Sequence, residues 1–240
     1  MTTSLTTYRR RALAGATAVV LVALAGCGES DDSIPATDTD GIVTYACSLV
    51  GEFEHGEPVD AWDWDSIPGP DSGEGFVNGT AIHALVGAGS TAPLVGHENL
   101  SEAADALFRG ISEGEADDVE NAIGDLVSAC EEGGFADDEV DVTANGRIAY
   151  ACALVDDNLA TDQPVDEWIG SAAHADVEDR LVLTQAVGAA GLLGAPIAYE
   201  APDHSEISAE AQRLYAGITR ADTEMIGESL DELSGLCSDV

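Results

Sequence analysis

An internal repeat constrains this 240-residue chain more than any other feature of its sequence. The segment Tyr45–Val50 (YACSLV) recurs 105 positions later as Tyr150–Val155 (YACALV). Further matches follow in the same order with small drifts in spacing: Pro58–Trp62 with Pro164–Trp168, Val86–Ala88 with Val187–Ala189, Leu107, Gly110 and Ile111 with Leu214, Gly217 and Ile218, and Cys130 with Cys237. Because these matches include rare tryptophan and cysteine, chance explains them poorly. We predict two homologous units, 41–137 and 146–240, joined by an acidic linker, 138–145.

Apolar residues recur with helical spacing in both units. The matched sets are Ala104, Leu107, Phe108 and Ile111 with Ala211, Leu214, Tyr215 and Ile218, and Val119, Ile123, Leu126 and Cys130 with Ile226, Leu230, Leu233 and Cys237. Pro58 and Pro164 suit the first turn of a short helix that carries Trp62 or Trp168. No segment alternates with period two for long. The pattern predicts an all-α fold of two helical-bundle repeats, each with about four main helices and one short helix.

The N-terminal residues are typical of an export signal. Arg9–Arg11 precede an uncharged apolar stretch, Ala12–Ala25, which is shorter than the ~20 residues that a membrane-spanning helix needs. The stretch closes with Leu24-Ala25-Gly26-Cys27, which resembles the lipobox of bacterial lipoproteins. The resemblance implies that residues 1–26 are removed, that Cys27 carries diacylglycerol and often a further acyl chain such as palmitate, and that the protein lies on the extracytoplasmic face of the cell membrane. The alternative is a plain secretory signal with a chance cysteine.

The charge of the chain is strongly negative. With 46 acidic and 8 basic residues the net charge is −38, and loss of residues 1–26 would remove three arginines and leave −41. Such a surface repels nucleic-acid phosphates and anionic lipid headgroups, so we expect no nucleic-acid partner and a membrane anchor made by the acyl chains. Segment 27–40 is acidic, small and polar, which predicts a flexible tether. For the acidity itself we favour solubility over a dedicated cation-binding function.

Four cysteines remain for pairing once Cys27 is acylated. An exported chain can form disulfides, and four cysteines allow three pairings. The repeat favours Cys47–Cys130 and Cys152–Cys237, each of which would join the first helix of a unit to its last. A redox or metal-binding role is the alternative. Because the sequence contains no CxxC motif, we favour structural disulfides over that role. The chain also shows no cofactor motif, so we expect neither a metal nor another cofactor.

Ser112 lies in a segment that matches two motifs. Gly110–Gly114 reads GISEG, the G-x-S-x-G pattern of hydrolase nucleophiles, but that motif requires a strand before the serine and a helix is predicted here. Ser112-x-x-Glu115 also fits a capping box ahead of the final helix, and Thr219-x-x-Asp222 repeats it in the second unit. We predict the capping box, with a hydrolase that uses Ser112 as the weaker alternative.

Two histidines, His97 and His204, occupy matching positions, each four residues before a serine. A mirrored histidine pair in an acidic exported protein could sense pH or bind Zn²⁺ or Cu²⁺. The simpler interpretation is a polar residue at the entrance to a helix. His97-Glu98 lacks the second histidine of a zinc-protease motif, since Ser101 stands in its place. We keep His97 and His204 as candidate ligand or partner residues.

The loop Asp60–Glu74 (DAWDWDSIPGPDSGE) combines five acids with two tryptophans. It lacks the ligand order of an EF-hand, so ordinary calcium binding is not supported. Trp62 is expected in the core, as is its counterpart in the second unit. Trp64, Asp63 and Asp65 are the freer residues, and we predict that they contact a protein partner or a cationic ligand.

The uncharged segment Leu181–Tyr199 approaches transmembrane length. It contains polar residues and several glycines, and the matching segment of the first unit carries His83 and Asn78. We therefore expect a central bundle helix whose small residues allow close neighbours, with His83 as a satisfied core or groove histidine.

The sequence shows no catalytic constellation and no cofactor motif. We expect a lipid-anchored, non-catalytic binding or envelope-associated module, with an envelope protein as the candidate partner besides the membrane. Two alternatives stay open. One is a carrier of an apolar ligand or metal ion in a cavity between glycine-rich helices, and the other is the hydrolase that uses Ser112.

Overall fold

The computed structural model of the chain describes residues 34–55, 58–61, 81–83, 85–87, 96–135, 140–170, 177–193 and 205–238. All of them belong to one compact unit, Asp31–Val240. The helices in this part of the chain are α1 (Thr39–His55), α2 (Glu98–Glu113), α3 (Ala116–Gly133), α4 (Ala144–Ala160), α5 (Val165–Gly170), α6 (Val177–Leu192), α7 (Ser205–Arg220) and α8 (Thr223–Cys237), with a 3₁₀ turn at Val59–Ala61 and helical residues at 81–83 and 85–86. No strand occurs among these residues, which confirms the all-α prediction.

The helices pack as two hairpins with further helices laid against them. α2 packs on α3, and α7 packs on α8. In the first half α1 lies against α3; in the second half α4 contacts α6 and α8, α6 contacts α7, and the short α5 contacts α6 and α8. Trp168 projects from α5 into the core and is fully buried. Among the described residues of the second half there are four long helices and the short α5, in agreement with the apolar periodicity.

The α2–α3 hairpin turns at a glycine. The N–H groups of Gly114 and Glu115 donate to the carbonyls of Ile111 (3.3 Å) and Gly110 (3.0 Å), which is a Schellman ending. Gly114 takes the left-handed conformation that this ending requires, with φ of 72°. Glycine adopts that conformation without steric cost, so α2 stops after Glu113.

The α7–α8 hairpin uses the same backbone bonds with a different residue at the turn. The N–H groups of Ala221 and Asp222 donate to the carbonyls of Ile218 (3.1 Å) and Gly217 (2.9 Å). Ala221 has φ of 51°. Because a Cβ in the left-handed region meets the following carbonyl oxygen, this position costs roughly 1–2 kcal/mol that the glycine of the first hairpin does not.

The predicted capping boxes at Ser112 and Thr219 are wrong. α2 runs to Glu113, so Ser112 is still helical, and its hydroxyl donates to the Phe108 carbonyl at 2.8 Å. The Thr219 hydroxyl likewise donates to a carbonyl of its own helix, three residues back, at 3.1 Å. Both side chains therefore satisfy the last turn of the helix that ends, not the first turn of the helix that begins.

The N-cap positions of α3 and α8 lie three residues after the predicted ones, Ser112 and Thr219. Asp222 caps α8, and its carboxylate accepts the Met225 N–H at 3.1 Å. Glu115 holds the equivalent position before α3 and makes no side-chain capping bond. The N-cap positions are later than predicted because, in each Schellman turn, the left-handed residue and then the N-cap residue follow the serine or threonine.

Each half of the structure carries one disulfide. Cys47 of α1 is bonded to Cys130 of α3, with Cα atoms 5.6 Å apart. Cys152 of α4 is bonded to Cys237 of α8, with Cα atoms 5.5 Å apart. These are the two pairs that the repeat predicts. They span 83 and 85 residues, and chain entropy assigns about 4.5 kcal/mol to a loop of that length.

Tyr45 of α1 and Tyr150 of α4 meet where the two halves adjoin. Their rings are fully buried and stacked, with centroids 4.0 Å apart. The Tyr45 hydroxyl donates to the carbonyl of Asp141 before α4 at 3.3 Å, and the Tyr150 hydroxyl donates to the carbonyl of Ala36 before α1 at 3.1 Å. Each tyrosine therefore ties its own helix to the segment that precedes the other.

Glycines in the first turns of α1 and α4 let those preceding segments fold back closely. A Cβ at Gly41 would overlap the carbonyl of Ala36, and a Cβ at Gly146 would overlap the carbonyl of Asp141. These are the same carbonyls that accept the tyrosine hydroxyls. Glycine is thus required at both positions by close approach of backbone to backbone.

Small residues bring α6 close to its neighbours, as expected for a bundle helix. A Cβ at Gly188 would lie 2.7 Å from Leu85 Cδ2 and 3.4 Å from Leu154 Cδ1. The side chains of Leu85 and Leu154 thus pack directly against the backbone of α6 at this glycine. Across the described helices, none combines the length and the apolar character needed to cross a membrane.

Candidate functional site

The last residues of the acidic segment before α1 belong to the folded unit, although their composition predicts a tether as far as residue 40. α1 begins at Thr39. The Asp38 carboxylate accepts the N–H of Gly41 at 3.0 Å and caps the helix. The same role falls to Thr143 before α4, whose hydroxyl accepts the N–H of Gly146 at 3.3 Å.

Thr37 anchors this segment to two distant helices. It is only 8% exposed. Its hydroxyl donates to the Asp157 carboxylate of α4, and its carbonyl accepts the Gln185 side-chain amide of α6 at 3.0 Å. These bonds join residues more than 100 positions apart, so the local composition of the segment could not predict them.

A cleft of about 460 Å³ opens where the segment crosses α4 and α6. That volume falls within the ~300–1,000 Å³ of small-molecule sites in proteins. Apolar and polar groups both line it: Pro35, Ala36, Thr37, Asp38, Asp157, Leu181 and Gln185. The cleft is therefore built from the end of the predicted tether, the C-terminal part of α4 and the middle of α6.

Gln185, which lines this cleft, carries a buried polar atom without a hydrogen-bond partner. The side chain is 4% exposed. Its nitrogen is identified by the bond that it donates to the Thr37 carbonyl, since a carbonyl can only accept. The remaining atom, Oε1, has no hydrogen-bond partner in the described part of the chain. A buried acceptor left in this state costs ~1–3 kcal/mol, which a donor on a bound molecule would recover.

The charge of the cleft is negative. Asp38 and Asp157 are exposed at its rim, and no basic residue occurs among the described residues that line it. Behind the cleft, Tyr150 donates to the Ala36 carbonyl. Burial raises the pKa of Tyr150, with smaller contributions in the same direction from Tyr45 and Asp38, so the phenol stays protonated. The arrangement disfavours anions and suits a molecule that donates hydrogen bonds.

His97 lies apart from the residues of the cleft, at the entrance to α2. Its Nε2 is 3.2 Å from Asp40 Oδ1 in the first turn of α1, and its ring meets Phe135 edge-on with centroids 4.9 Å apart. It makes no capping bond to α2. These contacts are those of a polar residue that joins three elements. A ligand role for the pair stays a prediction, because His204 lies outside the described residues.

His83 is a packed histidine, as expected. Its ring stacks on Phe108 with centroids 4.2 Å apart, and its Nδ1 is 3.4 Å from Asp105 Oδ1. Burial lowers the pKa of His83, and the nearby Asp105 opposes this effect to a smaller extent. Throughout the described ranges, no three histidine, cysteine, aspartate or glutamate side chains come together as a metal site.

The remaining sequence candidates divide into two groups. Ser112 is exposed on the last turn of α2, where its hydroxyl bonds to its own helix; the strand–turn–helix geometry of a hydrolase nucleophile is absent at this position. The second group lies outside the described residues, and the roles expected for its members remain predictions. They are Cys27, Asp63, Trp64, Asp65 and His204.

Sequence patterns did not identify the cleft. Thr37 and Asp157 are ordinary polar residues in an acidic chain and carry no local signal. Gln185 carries a local signal, because a long polar side chain within the uncharged stretch of a buried helix requires a hydrogen-bond partner. Its partner on the segment before α1 lies 148 positions away.

No protein-family model, curated protein or solved structure gives a significant match to the chain. Its function is therefore inferred from the site itself.

Proposed function

We propose that this chain is a lipid-anchored, extracytoplasmic protein that binds a small molecule in the cleft beside α1. The observation that carries the binding role is the unpaired, buried Oε1 of Gln185 in a cleft of ligand size. The described lining holds no histidine, cysteine, serine or lysine, and the hydroxyl of Thr37, which donates to Asp157, belongs to a side chain that is only 8% exposed and serves as an anchor. Binding without catalysis is the activity that such a lining supports.

Two features support the proposed location. The N-terminal 27 residues resemble a lipoprotein signal, and both disulfides are of the kind that persists in oxidising compartments. Acyl chains on Cys27 would hold the protein at the membrane against the repulsion between its acidic surface and anionic lipids. The acidic tryptophan loop around Trp64 is our candidate contact for an envelope protein partner.

We also infer that the two halves are homologous units. The matched sequence segments, the two hairpins with Schellman turns, the disulfides of nearly equal span and the reciprocal tyrosine bonds support this inference. The cleft then marks a difference between the units, because the residue matching Thr37 is Val142, which has no side-chain hydroxyl.

The binding role is tested with a panel of small cationic, neutral and anionic molecules and the full chain in detergent. Thermal unfolding detects binding, because a ligand that binds only the folded state raises the melting temperature. The proposed role predicts at least one stabilising molecule whose effect is reduced by Asp157→Asn. A panel in which no molecule stabilises the protein would contradict it.

The anchor is tested separately by expression with an alkyne-labelled palmitate. The label is expected on the wild-type chain in the membrane fraction and is expected to be absent from Cys27→Ser. Equal labelling of Ser48→Ala is the control for an unrelated substitution. Unlabelled wild-type protein in the soluble exported fraction would contradict the lipid anchor and leave the binding role open.

A further inference from the structure

Three side chains that line the cleft hold acceptors able to take further hydrogen bonds. Gln185 Oε1 is unpaired, and the Asp157 carboxylate accepts only the Thr37 hydroxyl among the side-chain bonds of the cleft. The Asp38 carboxylate accepts one backbone N–H and stays exposed. A carboxylate has about four lone-pair sites, so both can accept more. A ligand that donates hydrogen bonds therefore complements these side chains.

The charge of the same atoms selects the kind of donor. Two carboxylates with no basic residue among the described lining favour a cation over a neutral hydroxyl or amide. The surrounding protein strengthens that preference, since a chain with a net charge of −38 concentrates cations at its surface. An ammonium group supplies three donors and one positive charge, and it matches this set of acceptors.

The size and the apolar part of the cleft distinguish an organic cation from a metal ion. Calcium requires six to eight oxygen ligands at close range. Here the volume is about 460 Å³, and Pro35 and Leu181 contribute apolar surface beside the acceptors. A metal ion would leave that surface unused, whereas an ammonium compound with a short hydrocarbon body would cover it.

We infer that the cleft between the segment 35–38, α4 and α6 binds a small organic ammonium ion, with the ammonium group held by Gln185 Oε1 and Asp157 and the hydrocarbon body against Pro35 and Leu181. This inference rests on the proposed binding function and specifies its ligand class. Asp38 lies at the entrance and adds to the attraction of the positive charge.

The test uses three probes of similar shape with the full chain: 2-phenylethylammonium, 2-phenylethanol and 3-phenylpropanoate. Isothermal titration calorimetry at low ionic strength measures their affinities. We expect the ammonium probe to bind at least about tenfold more tightly than the alcohol, since it replaces a neutral donor by a charged one, and the carboxylate probe not to bind.

Asp157→Asn is expected to weaken binding of the ammonium probe by about tenfold. Asp156→Asn is the matched control, because Asp156 is the adjacent exposed acid of α4. Its carboxylate accepts a hydrogen bond from the Ser234 hydroxyl at 3.2 Å, and the substitution changes the net charge by the same amount. It is expected to leave affinity within about twofold. Both substitutions are on the surface, and equal melting temperatures without ligand show that both variants fold.

The side-chain amide signal of Gln185 in a nitrogen–proton correlation spectrum provides a second measurement, which needs no variant. It is expected to shift on addition of 2-phenylethylammonium, in slow or fast exchange. An unmoved Gln185 signal, or equal weakening by Asp156→Asn and Asp157→Asn, would overturn the site and leave only attraction to an acidic surface.

Other outcomes separate this inference from the proposed function. Tighter binding of 2-phenylethanol or 3-phenylpropanoate would support a binding protein and overturn the ammonium class. Binding of calcium chloride that excludes the ammonium probe would also overturn it, in favour of a metal ion. Cys27→Ser is expected to bind the probe like the wild type, so failure of the lipid anchor does not affect this result.

Discussion

The rings of Tyr45 and Tyr150 lie 14° from parallel, and each hydroxyl donates to a backbone carbonyl in the opposite half of the chain. The contact is reciprocal, so a substitution in one half has a counterpart in the other. It also fixes the two segments that precede α1 and α4. One of these segments forms the wall of the cleft, which links the central stack to the proposed binding site.

The first prediction concerns alkaline pH. A phenol has a pKa near 10 in an unfolded chain, and burial raises the pKa of Tyr45 and Tyr150 well above that value in the folded state. Above pH 10 the folded state therefore binds more protons than the unfolded state. The stabilisation by the two buried phenols is therefore fully present below about pH 10. Above that pH the free energy of unfolding should fall by up to about 1.4 kcal/mol per pH unit for each tyrosine.

Urea unfolding between pH 8 and 11 measures this slope. Tyr45→Phe and Tyr150→Phe should each lower stability at pH 8 by about 1 kcal/mol, through the lost hydrogen bond, and should each reduce the alkaline slope by about half. Tyr215→Phe is the control, since Tyr215 is 46% exposed. An alkaline slope unchanged in both buried variants would contradict the assignment.

The second prediction concerns the glycines that face the same two carbonyls. Gly41→Ala and Gly146→Ala should each destabilise the fold by more than about 2 kcal/mol, because the new Cβ would displace the carbonyl that accepts a tyrosine hydroxyl. Gly51→Ala in α1 is the matched control. Nothing lies within 4 Å of its Cβ position, so it should stabilise the helix by about 0.5–1 kcal/mol.

Denaturant midpoints of the three variants provide the measurement. Similar large losses at residues 41 and 146 would agree with two equivalent units. A stabilising effect of alanine at either position would show that the segment before that helix does not fold back as described.

The third prediction concerns the two Schellman turns. Ala221→Gly should stabilise the protein by about 1 kcal/mol, because glycine relieves the strain of the left-handed conformation. Gly114→Ala should cost about the same amount at the equivalent position. Thermal unfolding of both variants and of their double mutant measures the effects, which should cancel in the double mutant because the turns lie in separate hairpins. Effects of the same sign would be inconsistent with the two turns.

The fourth prediction concerns the disulfides. Replacing both cysteines of either bond by alanine should lower the free energy of unfolding by about 2–5 kcal/mol, and the two losses should be similar because the loops span 83 and 85 residues. Chemical denaturation measures the loss, and non-reducing peptide mapping identifies the pairs. A peptide in which Cys47 is joined to Cys152 would contradict the pairing.

Prediction from the sequence succeeded where the signal is local or repeated. Apolar spacing predicted helices such as α2 and α7, and the repeat selected Cys47–Cys130 and Cys152–Cys237 from three possible pairings. Prediction failed at Ser112. The sequence there fits a capping box, but it fits equally well a helix that continues to Glu113 and ends at a glycine turn.

The sequence by itself determined the helical content, the order of the helices and the partners of the four paired cysteines. Apolar periodicity and the internal repeat, on which these depend, can both be read directly from the order of the residues. Only the tertiary structure decided that Thr37 is buried, that each of the two tyrosines donates to a backbone carbonyl in the other half, and that Gln185 lines a cleft. The physical reason is that each of these contacts joins residues about 100 or more positions apart. Their geometry depends on how closely the helices pack, which glycines at the crossings permit and which no local pattern records.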